Sequence, residues 1–319
     1  MAGARTAVIV GSGIVGLTTA WHLQDRGWRV RLLADRPITA TTSARAAAVW
    51  FPTRVGPRGR VAEWGARTYD VLAAQARDGV PGVLMRETLA LYRDPPEHPW
   101  WAEAVHGVRP ATPDDLPRGY GHGLRFTVPL ADMSVHLPWL VDEVQRRGAV
   151  TEMRHLTSLA DAGPADLVVC CAGLGARTLA GDDSVVPVRG QIVRVANPGL
   201  TLSIRDEHHP DGRAYVHPRV DDVILGGTLD EGEWDDIPDP DTAAAIVARC
   251  TDLAPAVADA PVLEHVAGLR PGRPTVRLER GADLANGTPL IHHYGHGGSG
   301  ITLSWGCAEE VAALAEPLA

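Results

Sequence analysis

Residues 6–35 read TAVIVGSGIVGLTTAWHLQDRGWRVRLLAD, and the fold turns on how they are divided. TAVIV is apolar and β-branched enough for a buried strand, GSGIVG is a glycine turn, LTTAWHLQDRG has helical composition, and WRVRLLAD is a second strand. Gly27 ends the helix as a C′ glycine does. In this strand–turn–helix setting Gly11 permits the tight turn, Gly13 lets backbone approach a pyrophosphate, and Gly16 lets helix and sheet pack closely. Asp35, at the end of the second strand, is placed to accept hydrogen bonds from ribose hydroxyls. The segment predicts the first βαβ unit of a dinucleotide-binding fold.

The remainder of the chain interrupts and resumes that fold. Residues 36–55 are rich in Thr, Ser and Ala without a period, and residues 60–76 have helical spacing. From 85 to 130, short apolar pieces broken by Pro, Gly and Asp predict strands and loops of a second layer. A helix is expected over 136–148, with Pro near its start and Gly at its end. ADLVVCCAGLGA (165–176) is apolar on both faces, as a strand buried in a parallel sheet is. Residues 186–230 alternate in β fashion, and a helix at 241–253 is expected to be capped by Asp241 or Thr242.

The chain has 319 residues, 45% hydrophobic and 22% charged, with a formal net charge of −9. That length supports one large or two intimately joined domains, and the acidic balance argues against nucleic acid as a partner. The four cysteines match neither a disulfide framework nor a zinc spacing. No run reaches membrane-spanning length and no signal-peptide cleavage site follows the apolar start, so a soluble cytoplasmic protein is expected, with no membrane partner. Histidines are adjacent at 208/209 and 292/293, with His296 close by, but neighbours on a strand face opposite ways, which defeats chelation by either pair, so no metal is expected.

Residues 292–315, HHYGHGGSGITLSWGCAEEVAALA, place glycines at 295, 297, 298 and 300 ahead of a helix expected after Trp305. Such a cluster suits positive φ or a close approach of backbone to a ligand, and the free N–H groups of a helix start favour negative charge. The periodicity alone leaves FAD and NAD both open as the nucleotide. The recurrence of nucleotide-fold segments near 170 and at the end favours FAD, because nicotinamide dehydrogenases usually carry that half as one block.

Taken together, VIVGSGIVGLTTAWHL with ADR (34–36), TTSARAAAVWFP (41–52), CCAGLGA, PVRGQIVRV, the Tyr215 segment before LGGTLDEGEWD, GLRPGRPTVRLER (268–280) and HHYGHGGSGITLSWGCA resemble the D-amino-acid oxidase family of FAD enzymes. The similarity runs in order over nearly the whole chain. It implies an α/β fold in which a Rossmann-like FAD-binding domain (1–55, 130–185, 270–319) interleaves with a mostly antiparallel substrate-binding domain (56–129, 186–269).

The resemblance implies noncovalent FAD held by Gly11, Ser12, Gly13, Val15, Gly16, Asp35, Arg36, Thr41, Thr42, Ser43, Ala47, Ala48, Val49, Leu156, Gly297, Gly298, Gly300, Ile301 and Thr302. Arg270 and Tyr215 would bind a substrate carboxylate, and the Gly298 carbonyl would accept from the amine. Thr41, Thr42 and Ser43 would offer donors to the pyrophosphate. Cys307 reads as a buried apolar thiol rather than a flavin link. The implied reaction is hydride transfer from Cα of a neutral D-amino acid to flavin N5, giving a 2-oxo acid, ammonia and, with oxygen, hydrogen peroxide. A D-aspartate, glycine or sarcosine oxidase is the alternative, as is a flavin-binding scaffold without turnover. A homodimer is the expected assembly. Unlike the vertebrate members, the stretch RDEHHPDGRAY before and including Tyr215 has no second tyrosine; Arg54, Arg205 or Arg213 could favour an acidic side chain, but each reads rather as a surface charge.

Overall fold

The computed structural model describes residues 5–318. Its first element is the expected unit: a strand at Thr6–Val10, a helix at Ile14–Asp25 and a strand at Arg29–Ala34, paired in parallel with Val8 opposite Arg31. Leu167–Cys170 joins on the other side of the first strand, also in parallel, and Leu290–Tyr294 lies beyond it. Val150–Met153 and the antiparallel Arg277–Arg280 complete a six-stranded sheet, one at each edge. Its central strands are buried on both faces, which explains their unbroken apolar sequence.

The second sheet has nine strands and is mostly antiparallel. Val83–Tyr92 and His122–Ala131 form a long pair where the sequence suggested only short pieces. Val186–Ala196 pairs with Asp222–Gly226 on one side and with Val262–Gly272 on the other, so Leu269 sits opposite Arg189 and Arg270 opposite Val188. Pairing in this sheet continues through Ala131 and Gly272, a few residues past the expected limits at 129 and 269. The α/β class with two interleaved architectures is as expected.

Three of the helix ends that differ from the sequence reading have a clear local reason. The helix expected at 136–148 runs Met133–Arg146, because Asp132 caps it by accepting from the Ser134 N–H at 3.0 Å, and Pro138 falls inside it. The helix Pro240–Leu253 is capped by Asp239, not Asp241 or Thr242; Asp239 accepts from Thr242 N–H at 2.6 Å and Pro240 occupies the first turn, where its missing N–H is not needed. The final helix spans Gly300–Ala315 and thus begins ahead of Trp305. Gly306 lies within it because a Cβ there would come 2.3 Å from the Trp64 carbonyl oxygen of the helix Arg58–Arg77.

Candidate functional site

Backbone shape dominates the nucleotide end. Gly11 has φ +117°, and a Cβ on it would lie 2.3 Å from the Cys171 carbonyl oxygen. A Cβ on Gly16 would lie 2.0 Å from the Gly11 carbonyl oxygen. These contacts leave no space for a side chain between the first strand, the turn and the helix. Gly13 is the N-cap and provides no capping side chain, and Ser43 stands across from it. Ser43 Oγ accepts from the Ile14 N–H at 3.0 Å and retains its own proton for a ligand. Ser12 beside it is buried.

The neighbouring hydroxyls behave otherwise. Thr41 donates to the Ile38 carbonyl at 2.6 Å and Thr42 to the Leu269 carbonyl at 2.8 Å, so of the three expected donors only Ser43 faces the helix start with its proton uncommitted. The Leu156 side chain packs in the core with Val8, Val10 and Leu33, which leaves its backbone for a ligand. Asp35 lies exposed beyond the second strand, paired with Arg36 at 3.1 Å. Ala48 adopts φ 56° and its carbonyl accepts from Ala131 N–H at 2.9 Å, while Val49 bridges to Leu130. Residues 47–49 thereby pass from the parallel sheet to the larger one.

The terminal glycine loop turns directly into the last helix. Gly297 has φ +53°, and a Cβ on it would meet the Arg54 carbonyl oxygen at 2.9 Å. Ser299 is the N-cap, yet its hydroxyl does not cap: it accepts from Thr53 N–H at 2.8 Å and donates to the Thr53 carbonyl at 3.2 Å. Thr302 repeats the arrangement with Phe51, at 3.1 Å in both directions. The two hydroxyls therefore tie residues 51–53 to the helix and leave its first N–H groups without a side-chain partner. A Cβ on Gly300 would lie 3.9 Å from Ile14 Cγ2, so two helix starts, neither capped by its own N-cap residue, stand side by side. That pairing of positive helix ends with glycine-lined backbone fits a ligand with a pyrophosphate at one end and an electron-rich ring at the other.

Side chains dominate the opposite wall. Arg270 lies over Gly190, where a Cβ would fall 1.9 Å from its Nη1, and that nitrogen donates to the Thr228 carbonyl at 3.2 Å. Gly298 faces the same arginine: a Cβ on it would lie 3.4 Å from Arg270 Cδ. Tyr215 covers Gly226 and Gly227: a Cβ on Gly226 would lie 2.0 Å from its Cζ and one on Gly227 2.5 Å from its hydroxyl oxygen. Burial raises the Tyr215 hydroxyl pKa and the Arg270 charge opposes that rise, so the tyrosine is a neutral donor facing a cation. His217 stacks on Tyr215 at 4.8 Å and is held to a pKa of about 3 by burial and Arg205.

The flanking charges are organised rather than scattered. Arg205 is 5% exposed, lies 3.3 Å from the centre of the Phe51 ring and pairs with Glu207; Arg213 pairs with the same carboxylate at 2.8 Å. Burial pushes the Glu207 carboxyl up, but Arg205 and Arg213 outweigh it and hold it below its ordinary value. Arg54, with φ 45°, reaches Glu231 at 3.0 Å. Arg54, Arg213 and Thr228 border a cavity of about 520 Å³ beside Arg270's carbonyl partner. Sequence reading missed Ser299, Glu207 and the glycine floor at 190, 226 and 227; the RGQ and LGG runs were the available signal for the floor.

Two glycine-shaped helix starts beside a cleft that carries Arg270 and Tyr215 make a nucleotide-binding site next to a cationic wall. Residues 6–314 match the DAO family, described as FAD dependent oxidoreductase, and the chain belongs to that family. It is 52% identical to a D-amino-acid oxidase of Rubrobacter xylanophilus over 97% of this chain and 95% of that one. It is 45% identical to a D-amino-acid oxidase of Streptomyces coelicolor, covering 97% and 96%. A glycine oxidase structure from Geobacillus kaustophilus superposes with a TM-score of 0.81 at 18% identity, covering 98% of this chain and 95% of that one. The protein is thus an FAD-dependent flavoprotein. Among the described residues no helix is long and apolar enough to cross a membrane.

Proposed function

We propose that this protein is an oxidase of D-amino acids with neutral side chains, releasing a 2-oxo acid, ammonia and hydrogen peroxide. The observation that carries the reading is the seating of Arg270 against Gly298, which puts a fixed guanidinium at the mouth of the flavin loop. Its two parallel N–H donors match a carboxylate, and the Tyr215 hydroxyl adds a third donor. The Gly298 carbonyl accepts from the substrate amine, so carboxylate and amine are held at two points and Cα–H is oriented by position. Bound FAD supplies the two-electron acceptor for that Cα–H bond. No side-chain acid or base is needed once the amine is neutral; water hydrolyses the released imino acid, and oxygen takes up the two electrons and two protons as peroxide.

The names of the two bacterial relatives support the D-configuration and the substrate class. Glu207 supports neutral over acidic side chains, because it already engages Arg205 and Arg213, the cations that D-aspartate would need. Cys307 is fully buried in a packed core, which supports noncovalent flavin. Four free buried thiols support a reducing cytoplasm, and the exposed Trp234, Ile237, Val262 and Leu263 offer apolar surface for a homodimer, which sedimentation would test. Peroxide and 2-oxo acid are to be assayed with D- and L-amino acids, D-aspartate, glycine and sarcosine. Turnover greatest with neutral D-isomers is expected; turnover only with D-aspartate, or only with glycine and sarcosine, would replace this reading.

A further inference from the structure

We propose that His293, His296 and Cys307 form a buried Zn²⁺ site beneath the terminal glycine loop. The residues come from the strand Leu290–Tyr294, the entry to the 3₁₀ turn Gly297–Ser299 and the second turn of the last helix. They are 0%, 2% and 0% exposed, and one ligand atom from each lies within 4.8 Å of the others. The imidazole rings sit 5.0 Å apart at 73°. Neither adjacent histidine pair achieves this. His292 points to the other side of its strand, where a Cβ on Gly281 would meet its Nε2 at 2.8 Å.

Hydrogen bonding sets the tautomer of His293. Thr19 Oγ1 gives its proton to the Val15 carbonyl at 2.7 Å, so it accepts from Nδ1–H of His293 at 3.0 Å. The lone pair of His293 then sits on Nε2, and that atom is buried with no partner among the described residues. His296 Nε2 is equally buried and unpartnered. An orienting hydroxyl behind one imidazole nitrogen and an unused lone pair in front is the arrangement a metal-ligating histidine needs.

Two imidazoles and a thiolate suit a borderline ion such as Zn²⁺, with one position left for water. Around such an ion the ligand atoms stand roughly 3.5 Å apart, so the set closes by about one ångström on binding. On binding, the Cys307 thiol loses its proton to solvent and no electron is transferred. The ion would join strand end, glycine loop and helix in one clamp.

The test is elemental analysis of holoenzyme purified without chelator from cells grown with added zinc. One zinc per chain is expected, falling to background in Cys307→Ala and His293→Asn with flavin content retained. Zinc at background in the parent, or content unchanged in the variants, would overturn the assignment. If those variants fail to fold, parent protein from cobalt-supplemented cells provides the second readout. Tetrahedral ligand-field bands to the red of the flavin are expected, and their absence from a flavin-loaded preparation would overturn the site.

Discussion

At the nucleotide end of the site geometry is set by atoms that are missing, whereas at the substrate end it is set by charges that are present. Gly11 and Gly16 leave 2.3 Å and 2.0 Å between a would-be Cβ and a carbonyl oxygen, and neither adjacent helix start is capped by its own N-cap side chain. Across the cleft Arg270, Tyr215, Arg205, Glu207 and Arg213 form a network in which each charge conditions the next. The difference teaches that one end specifies a rigid shape for a large constant ligand, and the other an electrostatic seat for a small variable one.

The comparison breaks most severely at Gly16. Gly16→Val drives side-chain atoms into the Gly11 carbonyl, and an overpacked backbone contact of this kind should cost at least several kcal/mol. Little soluble, flavin-loaded protein is expected, as read by flavin absorbance and thermal melting; a normal yield with full flavin would show that the shape is not required.

Arg270→Ala tests the other end. Loss of a fixed cation facing a carboxylate should lower kcat/KM for D-amino acids about a thousandfold, about 4 kcal/mol, while flavin stays bound. Steady-state kinetics with flavin quantified separate the two effects.

Acid sharpens the contrast between chemistry and fold. His136 is 1% exposed, stacks on Trp139 and is held to a pKa of about 4 by burial, with the Pro81 carbonyl opposing. Above pH 6.5 both folded and unfolded forms are neutral at this residue. Between pH 6.5 and 4 only the unfolded chain takes the proton, so stability should fall through that window by about 3 kcal/mol from this residue. Urea unfolding at several pH values should show a shallower loss in His136→Gln.

The smallest effect is expected at the seam between the halves. Thr302→Val removes two hydrogen bonds to Phe51, which should cost roughly 1–2 kcal/mol and weaken flavin retention without altering substrate preference. Flavin dissociation measured by fluorescence would show it.

What could be read in the sequence follows the same division. The βαβ unit was legible because glycine spacing, apolar strands and a helix-ending Gly27 all report local backbone geometry. The early start of the last helix was not, since Gly300 and Gly306 look like breakers until their neighbours Ile14 and Trp64 are known. Thr41 and Thr42 look like phosphate donors, but their hydroxyls turn to Ile38 and to the distant Leu269. Arg205 and Arg213 read as surface charge because only the hairpin joining Ser203–Asp206 to Ala214–Pro218 brings them together on Glu207. The trio His293, His296 and Cys307 has no recognisable ligand spacing, because its members come from strand, turn and helix.

The central claim is that Arg270, Tyr215 and Gly298 hold a D-amino acid with its Cα–H presented to the flavin. Anaerobic mixing of the holoenzyme with D- and L-isomers of one neutral amino acid, followed at the flavin absorbance, tests it most directly. Bleaching by the D-isomer alone is the predicted result; no bleaching by either, or bleaching by the L-isomer, would contradict it.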